Sequence, residues 1–148
     1  MDEQVDSNLI FIDGAEVKDV RSVRRFLQPF VKKELLLPRT AAELTHLMKH
    51  AFIARYKKRI VGFAAVEIYS RKLAEIQCLA VDTDFQRNGI GRRLVIACVA
   101  KSKEQKVQEL MAISASDAFL KECGFDYSLP MQKRALFLQP QVVDLDSN

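Results

Sequence analysis

Hydrophobic and polar residues alternate along this chain with two spacings, one typical of strands and one typical of helices. Residues 9–12 form a short apolar run that ends at Asp13 and Gly14, a pair that favours a turn, so a strand is expected there. Between residues 15 and 28 the apolar positions recur at helical spacing, and Pro29 is expected to end that helix. The pattern therefore predicts an opening strand followed by a first helix.

The next part of the chain predicts a short helix and a β-hairpin. Thr40 and Glu43 have the spacing of a capping box, which places a helix from there to about residue 48. Residues 51–56 and 60–69 are rich in Phe, Ile, Val and Tyr, and three basic residues separate them. Two such runs around a short polar segment are typical of a hairpin, although this segment lacks the usual Asn-Gly pair.

A fourth strand is expected at residues 73–82, where two sets of side chains alternate. We place Ala74, Ile76, Cys78 and Ala80 on one face of the sheet, and Glu75, Gln77, Leu79 and Val81 on the other. Residues 94–99 are apolar almost all round, which predicts a largely buried helix that ends at Lys101-Ser102-Lys103. The strand therefore carries a carboxylate inside an apolar run.

The last third of the chain predicts a strand at residues 108–114, a short helix at 116–123 that Gly124 stops, and a closing pair of strands at 125–138. The element order β-α-α-β-β-β-α-β-α-β mixes an antiparallel meander with crossover helices. We therefore expect one α/β (α+β) domain over residues 1–148, with a mixed sheet, a core at about 9–138 and a loose tail after it.

Composition narrows the class of protein. The chain has 148 residues, 49% of them hydrophobic, and a net charge of +4, which suits an anionic ligand. The basic residues are spread along the chain and not interleaved with aromatic residues, so nucleic acid is not expected as a partner. The three cysteines, Cys78, Cys98 and Cys123, lack CxxC spacing, so neither a disulfide framework nor a metal site is expected. Without an apolar membrane span or a signal peptide, the expected location is cytoplasmic.

The segment between the third long strand and the buried helix carries the strongest candidate chemistry. It reads Gln86-Arg87-Asn88-Gly89-Ile90-Gly91 and joins an apolar strand to an apolar helix. Glycines allow a phosphate to approach the backbone, and the amides and dipole at a helix N-terminus attract an anion. A tight strand-to-helix turn without a ligand would have the same form. The spacings of the Rossmann and P-loop phosphate sites do not occur.

This segment resembles the acyl-CoA pyrophosphate loop of GNAT-family N-acetyltransferases. Leu79-Ala80-Val81-Asp82 before it and the Gly124-Phe125 end of the late helix are similar to that family too, and the resemblance covers about residues 9–138. It implies a mostly antiparallel sheet of six to seven strands flanked by about four helices, and acetyl-CoA as co-substrate. It also implies a backbone N–H near Leu79 or Ala80 as oxyanion donor, and edge-strand contacts that make a homodimer in many members. The implied acetyl-CoA contacts are Leu79, Ala80, Val81, Gln86, Arg87, Asn88, Gly89, Ile90, Gly91 and Arg92.

Within that family, three stretches resemble the acetyltransferase domain of N-acetylglutamate synthases: Leu36-Leu37-Pro38-Arg39-Thr40, the strand from Glu75 to Val81, and Ser114-Ala115-Ser116. The resemblance implies that Arg39 holds a substrate carboxylate, that Glu75 acts through water as general base and that Ser116 protonates the leaving thiolate. Cys78, Lys133 and Arg134 are the other implied substrate contacts. Ala115 replaces an arginine of the synthases, so glutamate specificity stays open.

The residues themselves support parts of this assignment. Direct transfer requires a neutral amine, and a carboxylate in a partly apolar strand can accept its proton, which favours Glu75 and keeps Glu67 in reserve. A salt-bridged Glu75 and a solvent-exposed Arg39 are the alternatives. Cys78 lacks a histidine placed to activate it, so a buried structural thiol is favoured. Ser116 is also a suitable helix N-cap, and Tyr127 is a weaker candidate acid because Leu120 replaces the family's usual tyrosine.

These features predict an enzyme that acetylates the primary amine of a small carboxylate-bearing molecule, an amino acid such as glutamate, by direct transfer from acetyl-CoA. One alternative is acetylation of a protein lysine or N-terminus, which would need an open peptide groove. A non-catalytic acyl-CoA-binding module is the other. No membrane and no metal are expected in any of them.

Overall fold

The computed structural model describes residues 4–114, 117–127 and 136–142. It divides into two compact units, residues 1–115 and 116–148, which are described separately. In the described residues, the first unit contains β1 (Ile10–Gly14), α1 (Val20–Lys32), α2 (Ala41–Leu47), β2 (Ala51–Tyr56), β3 (Arg59–Ile68), β4 (Leu73–Val81), α3 (Ile90–Glu104) and β5 (Glu109–Ala112). The second contains α4 (Ala118–Glu122). The predicted order of elements is confirmed from β1 through α4.

The strands form one mixed sheet in the order β1-β2-β3-β4-β5. The first four strands are antiparallel to their neighbours, and β5 runs parallel to β4 after the crossover through α3. The fold class is therefore confirmed, with five strands in the described residues where six to seven were expected. The closing pair predicted at residues 125–138 falls largely outside the described residues.

The β2–β3 hairpin closes through two lysines. Lys57 and Lys58 have φ values of 48° and 71°, so both lie in the left-handed region. Two consecutive residues of that kind match the twist of an antiparallel pair, which is why Asn-Gly is usual at such a turn. The hairpin prediction is confirmed, and the two lysines adopt the strained conformation without a glycine.

β4 contains a bulge that the alternation of its side chains did not reveal. Ala65 of β3 faces Gln77, and Phe63, two residues earlier, faces Ala80, so β4 has one residue more than its partner between these pairs. Cys78 lies within this segment and has a φ of 59°, a region that non-glycine residues rarely occupy. An extra residue of this kind bends the strand and reverses the faces of the side chains beyond it.

The bulge overturns the prediction that Ala74, Ile76, Cys78 and Ala80 share one face. Ile76 pairs with Val66, whereas Ala80 pairs with Phe63, three residues away on β3 and therefore on the opposite face. The error has a physical cause. Helices cover both faces of the sheet, so side chains remain buried on either side of the bulge and the apolar pattern continues unchanged.

α1 continues to Lys32 and therefore passes through Pro29, which was expected to end it. Pro29 has no N–H to donate to the Arg25 carbonyl oxygen one turn earlier. Both residues are exposed, so this part of the helix faces water. Phe30 packs against the apolar core and stacks on Phe26 with ring centroids 5.4 Å apart. Burial of these rings offsets the penalty of an interior proline. α1 also begins later than expected, because residues 17–19 form a separate turn of 3-10 helix.

α2 begins with the predicted capping box. The Thr40 hydroxyl accepts from the Glu43 N–H at 3.1 Å, and the Glu43 carboxylate accepts from the Thr40 N–H at 3.1 Å. These two bonds satisfy amides that the first turn would otherwise leave unpaired. The cap fixes the point at which the chain turns from residue 39 into the helix.

α3 buries the face that packs on the sheet, while its other face is exposed, so the helix is less buried than its apolar run at residues 94–99 suggested. Its buried side chains are Ile90, Leu94, Val95, Cys98 and Ser102, while Ile96 is 55% exposed. Gly62 of β3 lies directly beneath the helix, and a Cβ at this position would lie 3.0 Å from both Ile90 Cγ2 and Leu94 Cδ1. Close contact between α3 and β3 therefore requires glycine at position 62.

α1 and α2 cover the opposite face of the sheet. Their apolar residues form a core with the inward side chains of β2, β3 and the end of β4: Val23, Leu27, Leu44, Leu47, Met48, Ala51, Ile53, Phe63, Ala65, Cys78 and Ala80. Burial of this set supplies the main hydrophobic stabilisation of that layer. None of the helices in the described segments is both long and apolar enough to cross a membrane.

α4 ends where the sequence predicts. Gly124 has a φ of 98°, and the Phe125 N–H donates to the Leu120 carbonyl oxygen at 3.0 Å. A glycine in the left-handed region after the last helical turn is a common helix stop, because other residues are strained there.

Candidate functional site

The loop after β4 is held to the sheet by the residue that ends the strand. The Asp82 N–H donates to the Val61 carbonyl oxygen at 2.8 Å, and its carboxylate accepts from Arg59 Nη2 at 2.6 Å and from the Asp84 N–H at 3.0 Å. A charge-assisted bond of this length is short for its type. These contacts fix the direction in which the chain leaves the sheet.

Hydrogen bonds within the loop hold its backbone in place, and the space next to Gly89 is open. Asn88 Nδ2 donates to the carbonyl oxygens of Phe85 at 3.0 Å and Gln86 at 3.3 Å. Arg87 and Gly89 both have positive φ values, 68° and 74°. A Cβ added to Gly89 would have no atom within 4 Å, so the space above this residue is free for another molecule.

The N-terminus of α3 lies next to the open space at Gly89 and makes it electropositive. The first backbone bond of the helix runs from the Arg93 N–H to the Gly89 carbonyl oxygen at 3.0 Å, so the Ile90 and Gly91 amides have no acceptor within the helix. The first turn contains no acidic residue, and both Arg87 of the loop and Arg92 of that first turn carry exposed cationic side chains. Amides, dipole and cations together fit a diphosphate.

The pairing between β4 and β5 stops before this loop is reached. β5 pairs with β4 only from Leu73 to Ile76, and in the described part of the chain no ladder continues along residues 77–81 on that edge. The bulge bends β4 at the point where the pairing stops. Residues 79–81, predicted as cofactor contacts, therefore line a strand edge whose backbone groups can bind an extended ligand.

A hydrogen-bonded network occupies the α1/α2 face of β4, before the bulge. Glu75 Oε1 accepts from Tyr69 Oη at 2.5 Å and from Gln77 Nε2 at 3.2 Å. Gln77 Nε2 also donates to Tyr69 Oη at 3.1 Å, and Arg39 Nη2 donates to Gln77 Oε1 at 3.3 Å. Gln77 thus joins the two residues predicted as general base and carboxylate ligand, which lie 36 positions apart in sequence.

Glu67, the reserve candidate base, lies next to this network. It is the direct cross-strand partner of Glu75, so the two carboxylates share one face of the sheet. Glu67 Oε1 lies 3.2 Å from Nε2 of His46, which projects from α2. Because Glu67 already contacts His46, and Glu75 has no ion pair within the described residues, Glu75 is the better placed of the two to take a proton from a substrate.

Tyr69 stays protonated beside Glu75. The hydrogen bond to the Glu75 carboxylate raises the pKa of Tyr69 above its usual value, and burial and the negative charge of Glu75 add to that effect. The phenol therefore remains a donor over a wide range of pH. Tyr69 is 53% exposed, so the network borders solvent.

The structure supports a structural role for Cys78. The residue is 7% exposed, and burial raises the pKa of its thiol, although the nearby Arg39 cation acts in the opposite direction. A thiol in this environment is a poor nucleophile because it rarely ionises. Cys98 lies on the buried face of α3, where desolvation raises the pKa of the thiol to about 12.

The remaining predicted residues cannot be placed against this network. Ser116, Lys133 and Arg134 lie outside the described residues, so their roles stay predictions. Tyr127 belongs to the second unit, is 76% exposed and stacks under the Lys121 ammonium at 4.1 Å from the ring centroid. The described residues contain no group of three or more His, Cys, Asp or Glu side chains arranged to hold a metal ion.

Sequence reasoning missed Tyr69, Gln77 and His46. Two of them had a detectable signal, because Gln77 follows Glu75 by two positions on one strand and Tyr69 lies at the end of the preceding strand. His46 could not be found in this way. Its contact with Glu67 depends on how α2 packs across the sheet.

A separate groove lies along α1 and next to the start of α2. Four cationic side chains line it, together with apolar and amide groups: Val17, Lys18, Val20, Arg21, Arg24, Arg25, Gln28 and Ala41. The groove has a volume of about 560 Å³ and contains no carboxylate or nucleophile. It can attract anions but has no group suited to proton transfer.

Residues 19–125 match the acetyltransferase (GNAT) family. An uncharacterised N-acetyltransferase of Chlorobaculum tepidum is 30% identical over 114 residues, which cover 77% of this chain and 74% of that protein. The amino-acid acetyltransferase of Photobacterium profundum is 26% identical over 85% of this chain, which spans only 30% of that enzyme's length. Among solved structures, N-acetylglutamate synthase from Neisseria gonorrhoeae, complexed with coenzyme A and N-acetyl-glutamate, superposes with a TM-score of 0.69 at 22% identity, covering 81% of this chain and 28% of that one.

Proposed function

The chain belongs to the acetyltransferase (GNAT) family, and we propose that it acetylates the primary amine of a small carboxylate-bearing molecule, such as an amino acid, with acetyl-CoA as donor. The observation that carries the acceptor half of this proposal is the connection of Arg39 to Glu75 through Gln77. It places a cation suited to a carboxylate and a base suited to an amine on one face of the sheet.

The donor half rests on the loop and the strand edge. The free space above Gly89 and the amides of Ile90 and Gly91 suit the pyrophosphate of acetyl-CoA. The edge of β4 beyond Ile76 suits the extended pantetheine arm, which ends in the thioester. A backbone N–H near Leu79 or Ala80 would then donate to the thioester carbonyl oxygen as negative charge develops on it.

Transfer requires one proton to leave the amine and one to reach the sulfur. The neutral amine attacks the thioester carbonyl carbon, the C–N bond forms and the C–S bond breaks. Glu75 accepts the proton of the amine, directly or through one water, and the leaving thiolate takes up a proton to give free CoA. The products are an N-acetylated amine and CoA, and no metal is needed.

Two relatives favour an amino acid as the acceptor. The names of the Photobacterium enzyme and of the Neisseria synthase both refer to acetylated amino acids. Arg39 is half-buried, and its guanidinium donates from Nη2 to Gln77 Oε1 at 3.3 Å and from Nη1 to the Pro38 carbonyl oxygen at 3.5 Å. A guanidinium has five N–H donors, so others are left for a carboxylate. A planar bidentate pair with a substrate carboxylate would orient the α-amine towards Glu75.

The test is a screen of acceptors with two variants. Purified protein and acetyl-CoA are incubated with L-glutamate, other amino acids, the corresponding amides and short peptides, and products are identified by mass spectrometry. We expect free amino acids to be acetylated and their amides to be poor substrates. Glu75→Gln should lower kcat by about 100-fold or more, as for loss of a general base. Arg39→Gln should raise KM about 10- to 100-fold, as for loss of a charge-assisted bond.

Two control variants make this result specific. Glu34→Gln and Arg71→Gln remove the same charges at exposed positions outside the network, and both should keep wild-type kinetics. Acetylation of peptides alone would contradict the proposal. Binding of acetyl-CoA without acetylation of any amine would show that the chain is a non-catalytic acyl-CoA-binding module.

One observation favours a second candidate, a protein or peptide acceptor. The basic groove along α1 is lined by four cationic side chains, a charge that suits an acidic peptide. Under that alternative, Arg21→Gln and Arg25→Gln would raise KM for acidic peptides and leave amino acids unaffected. We rank it second because the groove lacks a group that can accept a proton.

A further inference from the structure

We propose that Gln77 and Tyr69 are positioning residues that hold Glu75 by one carboxylate oxygen and couple it to Arg39, so that base and carboxylate ligand act as one unit. This inference rests on the proposed function, since it assumes that Glu75 takes the proton and that Arg39 binds the acceptor. It adds the two residues that set the geometry between them.

The first step concerns the two oxygens of Glu75. Both of its donors, Tyr69 Oη and Gln77 Nε2, bind Oε1. Among the described residues, no donor binds Oε2. A carboxylate held in this way cannot rotate freely, and it presents the lone pairs of Oε2 to a substrate amine or to a bridging water.

The second step concerns the amide of Gln77, which has opposite polarity at its two ends. Its NH₂ group faces two oxygen acceptors, and its carbonyl oxygen faces the guanidinium of Arg39. The reverse orientation would bring the carbonyl oxygen against the Glu75 carboxylate and the NH₂ group against a cation, so the surroundings determine the orientation. Neither a carboxylate nor an aliphatic side chain can make both sets of bonds.

The third step follows from that connection. Gln77 touches both Arg39 and Glu75, whereas Tyr69 touches Glu75 but not Arg39. Loss of Gln77 should therefore disturb acceptor binding and proton transfer together. Loss of the Tyr69 hydroxyl should disturb proton transfer alone. The two variants consequently differ in how their effects divide between KM and kcat.

The kinetic experiment uses acetyl-CoA with L-glutamate or, if the acceptor screen finds a better amino acid, with that one. We expect Tyr69→Phe to lower kcat about 10-fold with KM nearly unchanged, and Gln77→Ala to lower kcat and raise KM by about 10-fold each. Gln77→Glu should behave like Gln77→Ala or worse, because it places a second carboxylate beside Glu75. In a Glu75→Gln background, Tyr69→Phe should lower kcat no further, since residues that act through one group are not additive.

Matched controls remove the same groups elsewhere. Tyr56→Phe deletes a phenol hydroxyl on β2, and Gln108→Ala deletes an exposed amide before β5. Both should keep wild-type kcat and KM. If Glu75→Gln abolishes turnover while Tyr69→Phe and Gln77→Ala match these controls, the positioning role is wrong and the proposed function stands. If Glu75→Gln turns over at the wild-type rate, both fall.

A second readout does not depend on activity. The ultraviolet titration of tyrosinate in wild type minus that in Tyr69→Phe isolates Tyr69 from the other two tyrosines. Since the contact with Glu75 raises the pKa of Tyr69 and the Gln77 bond lowers it, Glu75→Gln should move this titration to lower pH and Gln77→Ala to higher pH. A Tyr69 titration that neither variant moves would overturn the proposal, whatever the kinetics show.

Discussion

The replacement of Gly89 by alanine separates the strain of the loop from its binding role. Gly89 has a φ of 74° and caps α3, and an added Cβ would meet nothing within 4 Å. The folded state should therefore lose only the energy of placing an L-residue in the left-handed region, about 1–2 kcal/mol. For a chain of 148 residues this corresponds to a fall in Tm of roughly 3–8 °C.

The loss of binding free energy for acetyl-CoA should be larger than this loss of stability. The new methyl group would occupy the free space above residue 89, where the pyrophosphate has to approach the amides of α3. Loss of one charge-assisted hydrogen bond amounts to about 1.5–3 kcal/mol, or about 10- to 150-fold in Kd. Larger residues at both Gly89 and Gly91 should weaken binding further while the fold stays largely intact.

Gly124→Ala is the matched control, because it shares the features of Gly89 other than the loop. Its φ is 98°, and an added Cβ there also meets nothing within 4 Å. Both variants should lose similar stability in thermal unfolding, but isothermal titration calorimetry should show weaker acetyl-CoA binding for Gly89→Ala alone. Equal affinity in Gly89→Ala and wild type would refute the assignment of the loop. Failure of Gly89→Ala to fold would refute the inference that the space above it is free.

Three further outcomes are expected. Gly62→Ala should destabilise the fold by about 1–3 kcal/mol in urea, because its Cβ would lie 3.0 Å from two α3 side chains; an unchanged midpoint would contradict this close packing. Burial, together with neighbouring cations, lowers the pKa of His50 in the folded state. The stability that the neutral imidazole contributes is therefore complete above the unfolded-state pKa of about 6.5 and is lost as the pH falls through the folded-state pKa. Urea midpoints across that range should decline less in His50→Gln than in wild type. Of the three thiols, Cys123 should react first with an aromatic disulfide reagent, and Cys78 and Cys98 only on unfolding, since both are buried.

Local patterns predicted most elements of the fold because their causes are local. The capping box of Thr40 and Glu43 requires residues three positions apart, and both of its bonds form. The path of α1 through Pro29 could not be predicted in this way, since its compensation comes from tertiary burial of Phe30. The low helix propensity of a proline is overridden where the tertiary packing of a neighbouring side chain stabilises the helix by more.

In the candidate site, too, features with local causes could be predicted from the sequence and features that depend on tertiary packing could not. Gln86 to Gly91 could be proposed as a phosphate loop from one continuous segment, because such a loop uses backbone groups close together in sequence. The Arg39–Gln77 contact joins residues 38 positions apart and depends on how α2 lies across the sheet. No spacing rule reports such a contact, so residue chemistry suggested Arg39 and Glu75 but not the amide that connects them.

The bulge at Cys78 explains how one strand can serve two parts of a reaction. Before it, Glu75 and Gln77 face the α1/α2 layer, where Arg39 lies. After it, Val81 pairs with Gly62 on the face covered by α3, whose N-terminus follows the proposed phosphate loop. In a regular strand these odd-numbered side chains would share one face, and the polar network would continue into the apolar contact beneath α3. The extra residue instead reverses the faces of the side chains close to the point where the pairing with β5 ends. The proposed acceptor network and the proposed donor loop therefore lie within a few residues of each other along β4. The left-handed strain at Cys78 is thus located where the two halves of the proposed reaction meet.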